Sequence, residues 1–231
     1  MINPKSSHKK GEKSKKSKKF NPKTSRGYRD RNATVDSRSK LERFLIVCEG
    51  DKSEPNYFRN FRVPTNNVIE LDIRGIGKNT VNLVKKAIKY KENDRDYDQV
   101  WCVFDKDSFT IENFNQALEL ARNNDIKVAY SNEAFEIWYI LHFDYRDTAM
   151  SRQEYQDVLT QKLRNAKLIA LNKQYKKNDD KMYEYLEKLQ SQAIKNSKRL
   201  LEQYNPPQPA IDNPSTTVHL LVEELNKFVR P

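Results

Sequence analysis

A chain of 231 residues can bury one full core with additions or two small ones, and its 36% hydrophobic and 32% charged content is polar for a globular protein. The formal net charge of +11 is concentrated: residues 1–40 hold 14 Lys/Arg against 3 Asp/Glu, while the other 191 residues hold 29 of each. No stretch approaches the ~20 apolar residues that cross a bilayer, so neither a spanning helix nor a membrane partner is expected.

The basic arm, residues 1–40, has almost no aliphatic side chains and neither a helical nor a strand period, so disorder is expected of it. It lacks the apolar core of a secretory leader. Two meanings stay open, a solubilising or expression-related tail and a polycation that contacts phosphates in a salt-dependent way. Cys48 and Cys102 both stand in apolar runs, without CxxC or Cys/His zinc spacing. Buried thiols of a cytoplasmic protein are the expectation.

From Lys40 the signals alternate between strand and helix. Phe44–Cys48 reads as a buried strand, and Ser53 as the N-cap of a helix over "SEPNYFRNF". "VIELDIRGIG" is a second strand, and "NTVNLVKKAIKYKEN" an amphipathic helix. Val100–Phe104 forms a third, continuous apolar strand, followed by a helix whose buried stripe is Ile111, Phe114, Ala117, Leu118 and Ala121. "IKVAYSNE" supplies a fourth strand and "AFEIWYILHF" its helix. Beyond Tyr145 only helical periods remain, interrupted at "NPPQP". The expected architecture is a mainly parallel α/β sheet of about four strands flanked by helices. By boundaries this gives an arm at 1–40, an α/β core at 41–145, and a helical extension at 146–231 that packs back on the core.

Three strands end in carboxylates: Glu49 after the first, Asp105 and Asp107 after the third, Glu133 and Glu136 after the fourth. In an open parallel sheet the carboxyl ends of strands share one rim, where sites form. In extended chain Asp105 and Asp107 point the same way, about 7 Å apart, and repel by about 2 kcal/mol at an effective dielectric near 20. A divalent cation would relieve this, and oxygen-only ligands suit Mg2+ or Mn2+. Each carboxylate alone is compatible with ordinary turn chemistry, and together they point to a metal or catalytic site. Glu136, set among Phe135, Ile137 and Trp138, is the stronger of the last two candidates.

"EGDKSE" and "FDKD" resemble the Toprim domain of topoisomerases, primases and small nucleases. Together with "SNEAFEIWYILHF" and "NPSTTVHLLVEEL", the chain over about residues 43–228 resembles the RloB family, bacterial proteins of restriction loci and abortive phage infection, often encoded beside an AAA-type ATPase. That resemblance implies a Toprim-like fold and a Mg2+-dependent nuclease acting on DNA or RNA with an ATPase partner. It makes Glu49 the general acid/base and Asp105 and Asp107 catalytic metal ligands, with Glu49 and Glu136 as further ligand candidates. Where the family pattern has a small residue or proline after the asparagine of the fourth-strand motif, this chain has Glu133.

Lys52, Arg74, Lys78 and Lys106 border these turns and are the candidate phosphate contacts. "RGIGKNT" fails as a Walker A loop because Asp72 stands where a glycine is required, so no ATP site is expected in this chain. His142 reads as structural. His219 is given a site role because Ser215, Thr216 and Thr217 precede it at a helix start. The competing function is a non-catalytic nucleic-acid-binding or ATPase adaptor on the same fold.

Overall fold

Two continuous apolar runs, Phe44–Cys48 and Val100–Phe104, set the architecture, since such strands are stable only when both sheet faces are covered. The computed structural model describes residues 41–61, 69–77, 80–94, 96–107 and 109–229. The basic arm and Lys78 lie outside the described residues.

Strands β1 (Glu42–Cys48), β2 (Ile69–Gly75), β3 (Gln99–Asp105) and β4 (Lys127–Asn132) are parallel. Helices α1 (Ser53–Arg59), α2 (Thr80–Asn93) and α3 (Ile111–Asn123) connect them, and α4 (Glu136–Leu141) follows β4. Then come α5 (Arg152–Asn165), α6 (Met182–Leu186), a 3-10 turn at Glu187–Leu189, α7 (Gln190–Leu201), β5 (Ser215–Thr216) and α8 (Val218–Asn226). The sheet order is β2-β1-β3-β4-β5, with β5 antiparallel to β4. The chain leaves β1 toward β2 on one side and returns to β3 on the other. The strand order therefore reverses between β1 and β3, and a crevice opens beyond their carboxyl ends.

The period of two along β1 divides the core. Phe44, Ile46 and Cys48 face a cluster that includes α1, α4, α5, α7 and α8, whereas Leu45 and Val47 face α2 and α3. All five are fully buried, each worth about 1.5–3 kcal/mol for a large aliphatic or aromatic side chain. Cys48 and Cys102 are free and buried. Among the described residues no helix is long and apolar enough to cross a membrane.

The mainly parallel α/β sheet expected from the sequence is present, with one strand more than the four read there. Ser215 and Thr216 pair with Asn132 and Ser131, and the Thr216 hydroxyl donates to Tyr130 O at 2.9 Å. Two residues carry no period, so β5 is invisible to pattern reading. Ser53 is not an N-cap. It is the first residue of α1, and its hydroxyl donates to Lys177 O at 2.5 Å instead of to its own helix. Ile111 begins α3 exposed to solvent, outside the buried stripe formed by Phe114, Ala117 and Ala121.

Candidate active site

Glu49 follows β1 directly, at the point where the strand order reverses. Its backbone N–H donates to Val103 O at 2.8 Å, so the chain is still tied to β3 there. Its carboxylate Oε2 accepts from the Asp105 N–H at 3.1 Å. Burial pushes the Glu49 pKa up to about 7; the Asp105 N–H opposes this, and the nearby charges of Asp107 and Glu54 add to it.

Asp105 closes β3 and is almost fully buried. Burial, then the charges of Glu54, Glu136 and Glu49, hold its carboxyl well above the usual range, against the pull of Arg152. Its Oδ1 has no hydrogen-bond partner among the described residues. Asp107 stands two residues past the strand and meets Arg152, whose Nη2 lies 3.2 Å from its Oδ2. The same nitrogen lies 3.8 Å from Asp105 Oδ2. Arg152 is the first residue of α5, placed there by the Ser151–Glu154 capping box.

Glu136 opens α4 and is 1% exposed. Its Oε1 accepts from the Tyr175 hydroxyl at 3.2 Å, and its Oε2 has no partner among the described residues. Glu54, in the first turn of α1, completes the group. It is buried, its Oε2 is also without a partner among the described residues, and burial raises its pKa while Lys177 pulls the other way and Glu136 adds to the rise. Gly50 makes this packing possible, because a Cβ there would collide with the Glu54 carboxylate. Gly75, at the end of β2, would likewise carry a Cβ 2.6 Å from Asp51 Cα. Both glycines therefore keep the turn after β1 pressed into the cluster.

The structure thus gathers Glu49, Asp105, Asp107 and Glu136, and it adds Glu54, Arg152, Tyr175 and Lys177, which the sequence reading did not single out as site residues. Glu54 was legible only as a helix-start acid, and Arg152 is distant in sequence from every strand end. For Glu49, Glu54, Asp105 and Glu136, the only ion pair among the described residues is the one between Asp105 and Arg152. Three buried carboxylate oxygens without partners and a donor set made only of oxygen fit a hard divalent cation. Among the described residues, no three His, Cys, Asp or Glu side chains already surround one ion-sized position. Holding an ion here therefore requires these side chains to turn toward it.

The candidate phosphate contacts fare differently. Lys52 is exposed and lines a cavity of about 370 Å3 beside Gly50 and Glu54. Lys106 turns away from both aspartates and donates to Phe109 O at 2.6 Å. Arg74 is engaged with Asp72 at 2.5 Å and lies over the Tyr90 ring at 4.0 Å. His219 is buried inside α8, where burial lowers its pKa to about 4, and its charged neighbours are Glu223 and Lys198, not the carboxylates. His142 is buried as well, with Nδ1 2.9 Å from Trp138 O.

Residues 44–225 match the model of the RloB-like protein family. No curated protein and no solved structure matches the chain. The matched span begins inside β1 and ends inside α8, so it takes in the sheet except the first two residues of β1, and every carboxylate of the cluster. The chain belongs to the RloB-like protein family.

Proposed function

We propose that this cluster is the centre of a Mg2+- or Mn2+-dependent nuclease of Toprim type, a subunit of a bacterial phage-defence system that works with an AAA-type ATPase. The observation that carries the reading is the set of buried, unpartnered carboxylate oxygens of Glu54, Asp105 and Glu136 with a single arginine beside them. A fold does not keep such a group for stability, because each uncompensated buried charge is costly. Asp105 and Asp107, with Glu49 and Glu136, would hold the ion. When bound, it stabilises the charge that develops on a phosphate and orients the attacking group.

The chain's own residues divide the remaining work. Glu49, with a pKa of about 7, is poised to take the proton of an attacking water as the new P–O bond forms. As the bond from phosphorus to the departing oxygen breaks, that oxygen takes a proton from solvent water, and Glu49 returns its own proton to solvent, so that one water is consumed per bond cut. The Asp105 N–H fixes the orientation of the Glu49 carboxylate. Arg152 neutralises the aspartate pair in the absence of a cation. The Tyr175 hydroxyl holds Glu136 in place.

One observation favours the alternative, a non-catalytic nucleic-acid or ATPase adaptor: among the described residues, no three acidic side chains converge on one position as they stand. A single assay separates the two readings. The full chain is incubated with DNA and with RNA, in Mg2+ or Mn2+ against chelator, with and without the ATPase. The nuclease reading expects metal-dependent cleavage that falls at least about 100-fold in Glu49→Gln and Asp105→Asn, with both variants folded. Absence of cleavage in every arm, or cleavage indifferent to both substitutions, overturns it.

A further inference from the structure

Between α5 and α6 the chain runs without regular structure through "KQYKKNDDK", residues 173–181, yet it is firmly held. Tyr175 is buried, its N–H donates to Thr160 Oγ1 at 3.0 Å, and its hydroxyl reaches Glu136. Lys173 O accepts from Arg164 Nε at 2.8 Å, Lys177 O from Ser53, and Asp180 O from Asn60 Nδ2 at 3.0 Å. The backbone and the one aromatic side chain are thus committed to the protein. The lysines are not. Lys173, Lys176, Lys177 and Lys181 are all exposed, and none forms an ion pair among the described residues.

Their placement has a direction. Lys173, Lys176 and Lys181 line a cavity of about 720 Å3 in which Asp179 is the one acidic side chain. Lys177 and Lys52 line the cavity of about 370 Å3 that reaches Gly50 and Glu54. Asn178 borders both, so the two lie side by side as a groove-like surface with ammonium groups along it, and Glu54 of the carboxylate cluster lines its inner part together with the exposed Asp51.

We infer that this groove is the track for the phosphodiester backbone of a nucleic-acid strand, with Lys173, Lys176 and Lys181 as its outer contacts. The inference rests on the nuclease reading, whose substrate it places. Its logic is complementary charge. A polyanion needs neutralising where it lies on the protein, and the carboxylate cluster itself repels it. A rigid cationic loop beginning at the cluster's edge pulls the strand past that repulsion and sets its register. The loop carries Tyr175 and Lys177 as well, so the elements that hold Glu136 and face Glu54 also carry the strand.

The test uses the full chain carrying Asp105→Asn, in chelator, so that binding is read without cleavage. Its probe is a fluorescent single-stranded oligonucleotide of about 20 nucleotides. Replacing Lys173, Lys176 and Lys181 by Glu weakens binding by at least about tenfold and reduces the slope of log K against log salt by about 2. The same charge change at Lys85, Lys86 and Lys89 of α2, on the opposite sheet face, leaves both nearly as they were; thermal melting checks that each variant is folded. Equal losses in the two triple variants, or unchanged binding in the first, overturn the track and leave the nuclease reading standing. Binding lost only through the 173–181 lysines, in a protein that cleaves nothing with metal, keeps the track and removes the nuclease reading.

Discussion

On the outer strand β2, Asp72 accepts from Arg74 at 2.5 Å and from the Tyr97 hydroxyl at 2.5 Å, and beside it Asp94 takes both terminal nitrogens of Arg43. At the ends of β1 and β3, Glu49, Glu54, Asp105, Asp107 and Glu136 gather near one arginine that pairs with Asp105 and Asp107, and three buried oxygens have no partner among the described residues. Both regions use carboxylates and guanidinium groups around one sheet. In the first, the arginine hydrogen bonds hold Asp72 and Asp94 below the usual carboxylate range. In the second, burial holds Glu49 and Asp105 above it. A network that stabilises the fold satisfies its charges. A site that is to receive a cation or a polar substrate leaves them wanting, and the fold bears the cost.

The largest test of this contrast is pH. Glu49 binds its proton more tightly in the folded chain, so its contribution to stability is fully present below its ordinary value of 4.5 and is lost as the pH rises through about 7. Glu49→Gln removes that loss. Urea unfolding should find the variant close to wild type at pH 5 and more stable by about 2 kcal/mol at pH 8. Parallel stability curves for the two proteins would show that Glu49 is as well solvated as any surface carboxylate.

A smaller effect is expected at Arg152. Its guanidinium occupies the gap between Asp105 and Asp107, where a cation would otherwise be needed. Arg152→Met should cost about 1–2 kcal/mol at pH 8 in chelator. Millimolar Mn2+ should then stabilise the variant more than it stabilises wild type, because the ion meets the aspartate pair without a competitor. An equal rise in melting temperature for both proteins would mean that the arginine and the metal do not contend for the same place.

How far such a site can be read from sequence depends on where each member stands. Glu49 and Asp105 were legible because each ends a continuous apolar run, and parallel strands bring such ends together. The α/β order was legible for the same reason, from the runs Phe44–Cys48 and Val100–Phe104. Glu54 was not, since an acid in the first turn of a helix has an ordinary explanation in the helix dipole. Arg152 and Tyr175 were not, because they reach the cluster only through the packing of α5 and the 173–181 loop, which no period encodes. The pairing of Arg74 was not legible either. A basic residue beside a glycine turn resembles a phosphate contact until Asp72, two residues earlier on the same strand face, is seen to hold it.

The Arg74–Asp72 pair sets the smallest effect and the cleanest control. Asp72 loses its proton more readily in the folded chain, so its pairing with Arg74 contributes above its ordinary value of 3.8 and fades as the pH falls through its lower folded value. This is the opposite sign to Glu49. Arg74→Met should therefore cost about 0.5–1 kcal/mol at pH 7 and low salt, less at high salt. In acid, where Asp72 is protonated, the cost should be almost nothing. Nucleic-acid binding and any metal-dependent cleavage should be unchanged, because the guanidinium is already occupied by Asp72 and the Tyr90 ring. A variant that keeps its stability but loses oligonucleotide binding would move Arg74 from the structural network to the substrate surface, and the distinction between satisfied and unsatisfied carboxylates would then no longer separate scaffold from site.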